Sequence, residues 1–223
     1  MAGIYGRVIK MRPPTFNEER KLWKKGYKCV AGIDEAGRGP LAGPVVAAAC
    51  MLHKNFKMPR ALQKELRDSK KLSAKKRLKF YHFFRSRRDV QWGIGSVSEK
   101  TIDSINIVQA TKLAMQKAIL QLEKKVGKTD ALILDGSFAI ESRVVQKSMI
   151  KGDERVVSCA MASIMAKVTR DRAMIKYHKA YPLYGFDRHK GYGTSSHLAM
   201  LKKYGPCPLH RKTFAPISNM INF

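Results

Sequence analysis

Two apolar segments of the chain are joined by the stretch Gly32-Ile33-Asp34-Glu35-Ala36-Gly37-Arg38-Gly39-Pro40-Leu41-Ala42-Gly43-Pro44-Val45. The first segment, Cys29 to Ile33, predicts a strand that ends at Asp34 and Glu35. The second, Val45 to Leu52, predicts another strand. Glycines and prolines between them are typical of a turn. We therefore expect the sheet to begin with two adjacent antiparallel strands.

Further along the chain, the apolar patterns alternate between helix and strand. The predicted elements are a helix over Asn17 to Lys25, a helix from Ser73 to about Arg88, a strand over Gln91 to Val97, a helix over Ser98 to Val126, a strand over Ala131 to Leu134, a strand over Val144 to Lys151, a helix over Val157 to about Tyr181 and a short helix over Ser196 to Tyr204. Adjacent strands followed by alternation predict an α/β fold. Its mixed sheet is antiparallel at its start, parallel where helices cross over, and flanked by helices.

The charge of the 223-residue chain indicates an anionic partner. Lys and Arg number 44 against 17 Asp and Glu, a formal charge of +27, and a +27 surface favours nucleic acid. The stretch from Arg60 to Arg88 holds 12 Lys and Arg against 2 acidic residues. A hydrophobic content of 44% excludes wholesale disorder.

Neither a structural metal motif nor a membrane span is predicted. The four cysteines form no Cys-x-x-Cys pair, and Cys207-Pro208-Leu209-His210 lacks a second ligand pair for zinc. The longest weakly polar run, Leu41 to Leu52, is too short to cross a bilayer. We expect a cytoplasmic protein.

Acidic residues are scarce, so their placement is informative. Asp34 and Glu35 close the first predicted strand, and Asp135 closes the strand over 131–134. Ligands gather at neighbouring strand ends in α/β sheets. Carboxylates placed together repel unless cations bridge them, and Mg²⁺ or Mn²⁺ prefers such oxygen ligands. Taken singly, Asp34 and Asp135-Gly136 also fit simple turns.

The position of a fourth carboxylate remains open between two candidates. Asp153 follows Lys151-Gly152 at the exit of the next strand, and Glu154 is a weaker rival beside it. Asp171 lies at the edge of the apolar face of a predicted helix. Lys167, four residues earlier, is spaced to form an ion pair with Asp171.

Two glycine-rich loops are candidates for nucleic-acid contact. Gly37-Arg38-Gly39 allows backbone groups to approach a ligand closely and to read a ribose 2′-hydroxyl. Tyr192 lies between glycines in the basic loop His189 to Thr194, where an aromatic ring suits stacking on a sugar or base. Each loop alone also fits an ordinary turn.

These segments together resemble type 2 ribonuclease H, the ribonuclease HII family, from about Val30 to Pro216. The motifs that carry the resemblance are the 32–45 stretch, Asp68-Ser69-Lys70-Lys71-Leu72, Leu134-Asp135-Gly136, Lys151-Gly152-Asp153, Ala162-Ser163-Ile164-Met165-Ala166-Lys167-Val168-Thr169-Arg170-Asp171 and His189-Lys190-Gly191-Tyr192-Gly193-Thr194. The resemblance implies an RNase H-like fold with a small helical C-terminal region. It also implies cleavage of RNA in RNA–DNA hybrids and at single ribonucleotides in duplex DNA, on the 5′ side of the ribonucleotide, leaving a 3′-hydroxyl and a 5′-phosphate.

The resemblance also assigns roles to individual residues. The metal-binding carboxylates that it implies are Asp34, Glu35, Asp135 and Asp153, with Asp171 in reserve and expected to be structural. The substrate-binding residues that it implies are Gly37, Arg38 and Gly39 at the 2′-hydroxyl, Tyr192 against the neighbouring deoxyribose, and Lys70, Ser163 and Lys167 at phosphates. Leu134 stands where valine is usual in the family, a harmless apolar exchange.

We therefore expect an endonuclease that uses two Mg²⁺ or Mn²⁺ ions and acts as a monomer on RNA–DNA hybrids and ribonucleotide-containing duplex DNA. Residues 1–28 are expected to form a basic N-terminal extension, residues 29–181 the catalytic domain, and residues 182–223 a substrate-contacting region packed on that domain. One alternative is a non-enzymatic basic RNA-binding protein. Another is a nuclease that acts on DNA alone.

Overall fold

A five-stranded mixed sheet lies at the centre of the chain in this computed structural model, which describes residues 13–137 and 139–221. The strands are β1 (Val30–Ala36), β2 (Val45–Leu52), β3 (Val90–Val97), β4 (Ala131–Asp135) and β5 (Val145–Met149), in the spatial order β3-β2-β1-β4-β5. β2 pairs antiparallel with β1 and β3, whereas β4 pairs parallel with β1 and β5. The predicted mixed α/β sheet is confirmed.

Helices cover both faces of this sheet. They are α1 (Asn17–Lys24), α2 (Arg60–Glu65), α3 (Ala74–Arg85), α4 (Glu99–Val126), α5 (Gly152–Arg155), α6 (Val157–Ala180), α7 (Phe186–His189), α8 (Ser195–Tyr204) and α9 (Ile217–Ile221). Within residues 13–137 and 139–221, every helix is too short or too polar to cross a membrane.

The alternation of side chains along β2 explains the two layers. Val46, Ala48 and Cys50 belong to the cluster that includes α3 and α6, whereas Val45 and Ala47 belong to the cluster that includes α4. Successive strand residues point to opposite faces. Because both faces are covered, β2 is apolar throughout rather than alternating with polar residues.

β1 extends beyond its predicted end. Its pairing with β2 places Asp34 opposite Ala48 and Glu35 opposite Ala47, so both acids lie within the strand rather than after it. The reason is that β2 supplies hydrogen-bonding partners up to Ala36. β1 therefore ends at Ala36, one residue after the predicted end at Asp34 and Glu35.

The long helix α4 contains a break that the sequence pattern did not reveal. Asn106 has φ 65° and ψ 166°, outside helical geometry. Its side-chain Oδ1 accepts hydrogen bonds from the backbone N–H groups of Val108 and Gln109, at 3.0 and 3.1 Å. Asn106 therefore caps the start of a second helical segment, a role that asparagine fills well.

The segments on either side of the central domain pack on it where they are described. Thr15 N–H donates to the Arg155 carbonyl at 3.0 Å, and Glu19 Oε1 accepts from Ser158 N–H at 2.9 Å. Residues 13–28 are thus attached at the start of α6, while residues 1–12 of the expected extension lie outside the described residues. At the other end, Leu201 and Leu209 pack with Leu41.

The contact between α4 and β3 is unusually close because β3 carries two glycines. A Cβ atom on Gly95 would overlap the carbonyl oxygen of Ala114 and come within 2.7 Å of the Ala118 nitrogen. A Cβ on Gly93 would overlap the Ala118 carbonyl. The backbone of α4 therefore lies directly against the sheet.

We predict that Gly95→Ala lowers the free energy of unfolding by about 3 kcal/mol, because the helix must move away from the sheet to admit the methyl group. Urea unfolding followed by circular dichroism measures this. Gly39→Ala is the control, since a Cβ there meets no atom within 4 Å. Equal stabilities of the two variants would contradict the close contact.

Candidate metal centre and nucleic-acid interface

Three carboxylates from three elements meet at one edge of the sheet. Asp34 lies on β1, Asp135 ends β4 and Asp153 lies on α5. One oxygen of each lies within 4.8 Å of the others. The parallel pairing of β1 with β4 sets Ile33 opposite Leu134, so the residue that follows each of them reaches the same level. This explains the approach of Asp34 to Asp135.

Asp153 reaches the same place through a tight turn after β5. Lys151 has a left-handed conformation, with φ 58°, and turns the chain back toward β4. The Gly152 N–H then donates to Asp135 Oδ1 at 2.6 Å. A Cβ on Gly152 would lie 3.3 Å from the Cα of Asp135, so glycine permits this close approach.

The other three candidate carboxylates lie outside this group of three. Glu154 Oε1 pairs with Lys71 Nζ at 2.8 Å. Asp171 Oδ1 forms an ion pair with Lys167 Nζ at 2.6 Å on α6. This is the ion pair between residues four apart that the sequence spacing predicted. Glu35 follows Asp34 in the same strand, and consecutive strand residues project to opposite sides. Its Oε1 lies 3.3 Å from Arg38 Nη1.

Burial and mutual repulsion favour the neutral forms of the clustered acids. The pKa of Asp34 is raised well above its usual value, first by burial and then by Glu35 and Asp135. Burial, followed by the charges of Asp135 and Asp68, raises the pKa of Asp153 to about 7. Burial also raises the pKa of Glu35, although Arg38 opposes it. Carboxylates held together against this penalty form an all-oxygen donor set that fits a hard divalent cation.

The Asp68-Ser69-Lys70 segment lines the cluster, and the sequence analysis gave a role only to its lysine. Asp68, which is 8% exposed, is hydrogen-bonded to the side chain of Asp153 and accepts from Lys70 N–H at 2.9 Å. Ser69 Oγ lies 2.8 Å from Ser163 Oγ, and Ser163 hydrogen-bonds Asp34. In the sequence, the feature that could have identified Asp68 is an acidic residue directly before Ser-Lys-Lys.

Of the two lysines that the resemblance assigns to phosphates, Lys70 lies next to these acids, whereas Lys167 pairs with Asp171. Burial works against the charged form of Lys70, but Asp34, Asp68 and Asp153 outweigh it and raise its pKa. Burial lowers the pKa of Lys167, although its ion pair with Asp171 opposes the shift. Positive charge near the cluster therefore offsets part of the repulsion among the acids.

The Gly37–Gly39 loop turns away from the end of β1. Gly37 has φ 97°, and a Cβ on it would overlap the side chain of Arg170, so only glycine fits there. Arg38 and Gly39 are exposed, whereas Gly37 is buried. The rest of the turn is fixed by Leu41 N–H, which donates to the Gly191 carbonyl at 2.8 Å.

Tyr192 lies beside a groove of positive charge. Its ring is 42% exposed, with Lys167 Nζ 6.0 Å from the ring centroid. The groove has a volume of about 610 Å³, and its charged and aromatic lining is Arg77, Lys167, Asp171, Arg172, Arg188, His189, Lys190 and Tyr192. Its excess of cations over the single acid suits an anionic strand.

A chain of hydrogen bonds through two buried histidines supports Tyr192. His197 Nδ1 donates to the Tyr192 carbonyl at 2.9 Å, so its Nε2 is the acceptor of the 3.0 Å bond from His210 Nε2. His210 Nδ1 then accepts from Cys207 N–H at 2.9 Å. Burial lowers the pKa of both rings to about 4, so both are neutral at pH 7. Sequence reasoning examined His210 only as a zinc ligand and missed this arrangement.

We predict that His197 carries its proton on Nδ1 and His210 on Nε2 at pH 7, and that neither ring gains a second proton above about pH 5. In the unfolded chain these rings take up protons near pH 6.5. The unfolded state therefore binds more protons between pH 6.5 and 4, and this pair makes unfolding easier as the pH falls through that window.

Long-range ¹H–¹⁵N NMR spectra of the imidazoles between pH 7.5 and 5 measure the tautomers. A ring of the pair that takes up a proton near pH 6.5, as in the unfolded chain, would contradict the buried hydrogen-bond chain.

We predict that Asp153→Asn raises the free energy of unfolding in EDTA by roughly 1 kcal/mol, because one charge leaves the repulsive cluster. Mg²⁺ is expected to raise the melting temperature of the wild type and to raise that of this variant less. Thermal unfolding with and without Mg²⁺ measures both effects. Asp171→Asn, outside the cluster, is the control and is expected to keep the full Mg²⁺ shift. A Mg²⁺-induced rise in melting temperature that is kept in Asp153→Asn and lost in Asp171→Asn would place the ion at Asp171.

Comparison with known proteins gives one consistent relationship. A sequence model of the ribonuclease HII family matches residues 31–217. Ribonuclease HII of Chlamydia trachomatis serovar A is 49% identical over 204 residues, covering 91% of this chain and 89% of that protein. Ribonuclease HII of Caldanaerobacter subterraneus subsp. tengcongensis is 46% identical over 196 residues, covering 88% of this chain and 78% of that protein.

A solved structure shares the fold. The crystal structure of ribonuclease H2 from Pyrococcus horikoshii OT3 superposes with a TM-score of 0.67 at 26% identity, covering 86% of this chain and 96% of that one. The mixed sheet with flanking helices is thus an RNase H-like fold. With matches that extend over most of its length, the chain belongs to the ribonuclease HII family.

Proposed function

We propose that this protein is a metal-dependent endonuclease that cuts RNA in RNA–DNA hybrids and at single ribonucleotides in duplex DNA. The observation that carries the proposal is the group of Asp34, Asp135 and Asp153, which has one oxygen from each residue within 4.8 Å of the others. The Gly37–Gly39 loop, in which Arg38 and Gly39 are exposed, follows Asp34 and Glu35 in the chain. Membership of the ribonuclease HII family supports the same reaction. The cut falls on the 5′ side of the ribonucleotide and leaves a 3′-hydroxyl and a 5′-phosphate.

The clustered acids would hold two Mg²⁺ or Mn²⁺ ions. Asp34, Asp135 and Asp153 provide a common site, and Glu35 adds a carboxylate from the next position of β1. When bound, such ions supply positive charge for the attacking and leaving oxygens of an in-line displacement. The protein's part is to fix the carboxylates: β1 and β4 set two of them, and the Gly152 N–H holds Asp135.

Recognition of the ribonucleotide falls to the two loops. Backbone groups of Gly37, Arg38 and Gly39 contact the 2′-hydroxyl, which distinguishes RNA from DNA. The exposed ring of Tyr192 lies against the neighbouring deoxyribose. Two observations support this assignment. The Gly37–Gly39 loop follows Asp34 and Glu35 in the chain, and Lys70 interacts electrostatically with both Asp34 and Tyr192.

Phosphate contacts come from the cations around the cluster. Lys70 is exposed and lies near Asp34 and Asp153, which suits a phosphate held beside bound metal. Lys167 faces the groove next to Tyr192. Ser163 is 3% exposed and bonded to Ser69, so a phosphate contact there requires its hydroxyl to change partner.

We also propose the wider organisation expected from the sequence. Residues 182–223 form a substrate-contacting region on the catalytic domain of residues 29–181, and the basic residues of 1–28 add affinity for nucleic acid. The protein acts as a monomer in the cytoplasm.

A non-enzymatic RNA-binding protein is the second candidate, and the charge of +27 favours it equally. A protein that only binds RNA does not need three acids held together against their mutual repulsion. A nuclease acting on DNA alone accounts for the acids but not for the Gly37–Gly39 loop.

The test uses a labelled DNA duplex that carries one ribonucleotide, with Mg²⁺ or EDTA. We predict one Mg²⁺-dependent cut 5′ of the ribonucleotide. Asp34→Asn is expected to slow it by roughly a thousandfold, because loss of metal-derived charge stabilisation amounts to several kcal/mol. Gel electrophoresis of single-turnover reactions measures both rates.

The controls separate the candidates. Asp171→Asn, which removes an acid outside the cluster, and an all-DNA duplex are run beside the test. Cutting of the all-DNA duplex would favour the DNA nuclease. Salt-sensitive binding without any cut, in Mg²⁺ or Mn²⁺, would favour the RNA-binding protein, for which Asp34→Asn leaves binding intact.

A further inference from the structure

Two arginines lie buried beneath the Gly37–Gly39 loop. Arg170 is 1% exposed and Arg211 is 0% exposed. In the part of the chain that the structure describes, each hydrogen bond donated by their guanidinium groups goes to a main-chain carbonyl. Removing a cation from water costs several kcal/mol unless fixed partners replace the solvent. Carbonyl oxygens take that role here.

Arg211 spans the turn that carries the loop. Its Nη2 donates to the Gly37 carbonyl at 2.5 Å, its Nη1 to the Arg38 carbonyl at 2.8 Å, and its Nε to the Gly43 carbonyl at 3.0 Å. These acceptors lie on both sides of the turn, so one rigid planar group sets the distance between them. Its own N–H donates to the Leu41 carbonyl at 2.8 Å.

Arg170 connects the same turn to the tyrosine loop. Its Nη2 and Nε donate to the carbonyls of Ala42 and Pro44, at 3.1 and 2.9 Å. Its Nη1 donates to the carbonyl of Lys190 at 3.0 Å, two residues before Tyr192. The two candidate recognition elements are therefore fixed relative to one another by a single buried side chain.

The carbonyl contacts also determine which way the loop's N–H groups face. In a trans peptide the carbonyl oxygen and the following N–H point in opposite directions. Since the Gly37 and Arg38 carbonyls point inward to Arg211, the N–H groups of Arg38 and Gly39 point away from it. Arg38 and Gly39 are the exposed residues of the loop, so these donors face outward.

We propose that Arg211, assisted by Arg170, is a positioning residue for ribonucleotide recognition: it orients the Arg38 and Gly39 peptide groups toward the 2′-hydroxyl. The inference rests on the proposed function. Burial lowers the pKa of Arg211 to about 9 and also lowers that of Arg170. At pH 7 both remain charged, and they lie close enough to oppose each other's charge.

The test compares affinities for a duplex with one ribonucleotide and for the same duplex in all-DNA form, by fluorescence anisotropy in EDTA. Arg211→Lys keeps the charge, but a single ammonium cannot reach both sides of the turn. We expect the preference for the ribonucleotide duplex to fall by at least about tenfold, since misplacement of about 1 Å has effects of this size. Affinity for the all-DNA duplex and the Mg²⁺-induced rise in melting temperature are expected to stay as in the wild type.

A control of matched stability distinguishes positioning from general destabilisation. Leu122→Ala opens a cavity in the fully buried face of α4, on the opposite side of the sheet from Arg170, and is expected to lower the melting temperature but keep the preference. Arg170→Lys is the second variant if Arg211→Lys fails to fold. It is expected to reduce the preference less, because Arg170 does not bond Gly37 or Arg38.

The outcomes are separable. Equal affinity of the wild-type protein for both duplexes overturns this inference, whereas the proposed function fails only if the ribonucleotide duplex is not cut in Mg²⁺ or Mn²⁺. A wild-type preference that survives in the arginine variant, or that Leu122→Ala removes to the same extent, overturns the positioning role alone. Loss of the preference in the arginine variant, with the preference kept in Leu122→Ala, supports it.

Discussion

Repulsion among Asp34, Asp135 and Asp153 is the constraint around which the molecule is arranged, because their oxygens lie within 4.8 Å of one another. Such groups move apart or become neutral wherever the backbone allows it. Here the backbone does not allow it: β1 and β4 are buried parallel neighbours, with helices covering the sheet on both sides. The stability of the core thus maintains an electrostatically unfavourable site, which a bound divalent cation would relieve. Lys70 offsets part of the repulsion from within the protein.

The sequence predicted most of the sheet, and the physical reasons for its failures are specific. Apolar runs and Gly-Pro turns were sufficient for the mixed sheet, since β1, β2 and β4 are buried along almost their whole length. β1 continues one residue past its predicted end because its end depends on pairing with β2, a long-range effect. The break at Asn106 was missed because the apolar pattern continues across it. Both errors arise where a hydrogen-bonding partner, rather than local composition, decides the structure.

The site was less predictable than the fold, for a related reason. Asp34 and Asp135 follow from strand ends and parallel order, but the choice between Asp153 and Asp171 depends on a left-handed Lys151 and on the Lys167 ion pair. Asp68 lies in one of the motifs that carry the family resemblance, but no functional role was predicted for its carboxylate. Arg211 gave no signal, because an arginine that bonds main-chain carbonyls has no complementary residue that a sequence pattern could reveal.

The use of carbonyls as partners for the buried arginines has an electrostatic consequence. A carboxylate would cancel the charge of a guanidinium, whereas neutral carbonyls stabilise it and leave its full positive charge in place. Arg170 and Arg211 therefore keep two fixed positive charges beneath the Gly37–Gly39 loop, where the outward-facing N–H groups add dipoles of the same sign. An anionic nucleic-acid backbone is attracted to such a surface. With 17 acidic residues in 223, the chain brings Asp34, Asp135 and Asp153 together at one edge of the sheet and leaves the Gly37–Gly39 loop positive. In the proposed function, attraction of the substrate and the chemistry would therefore act at adjoining parts of the molecule.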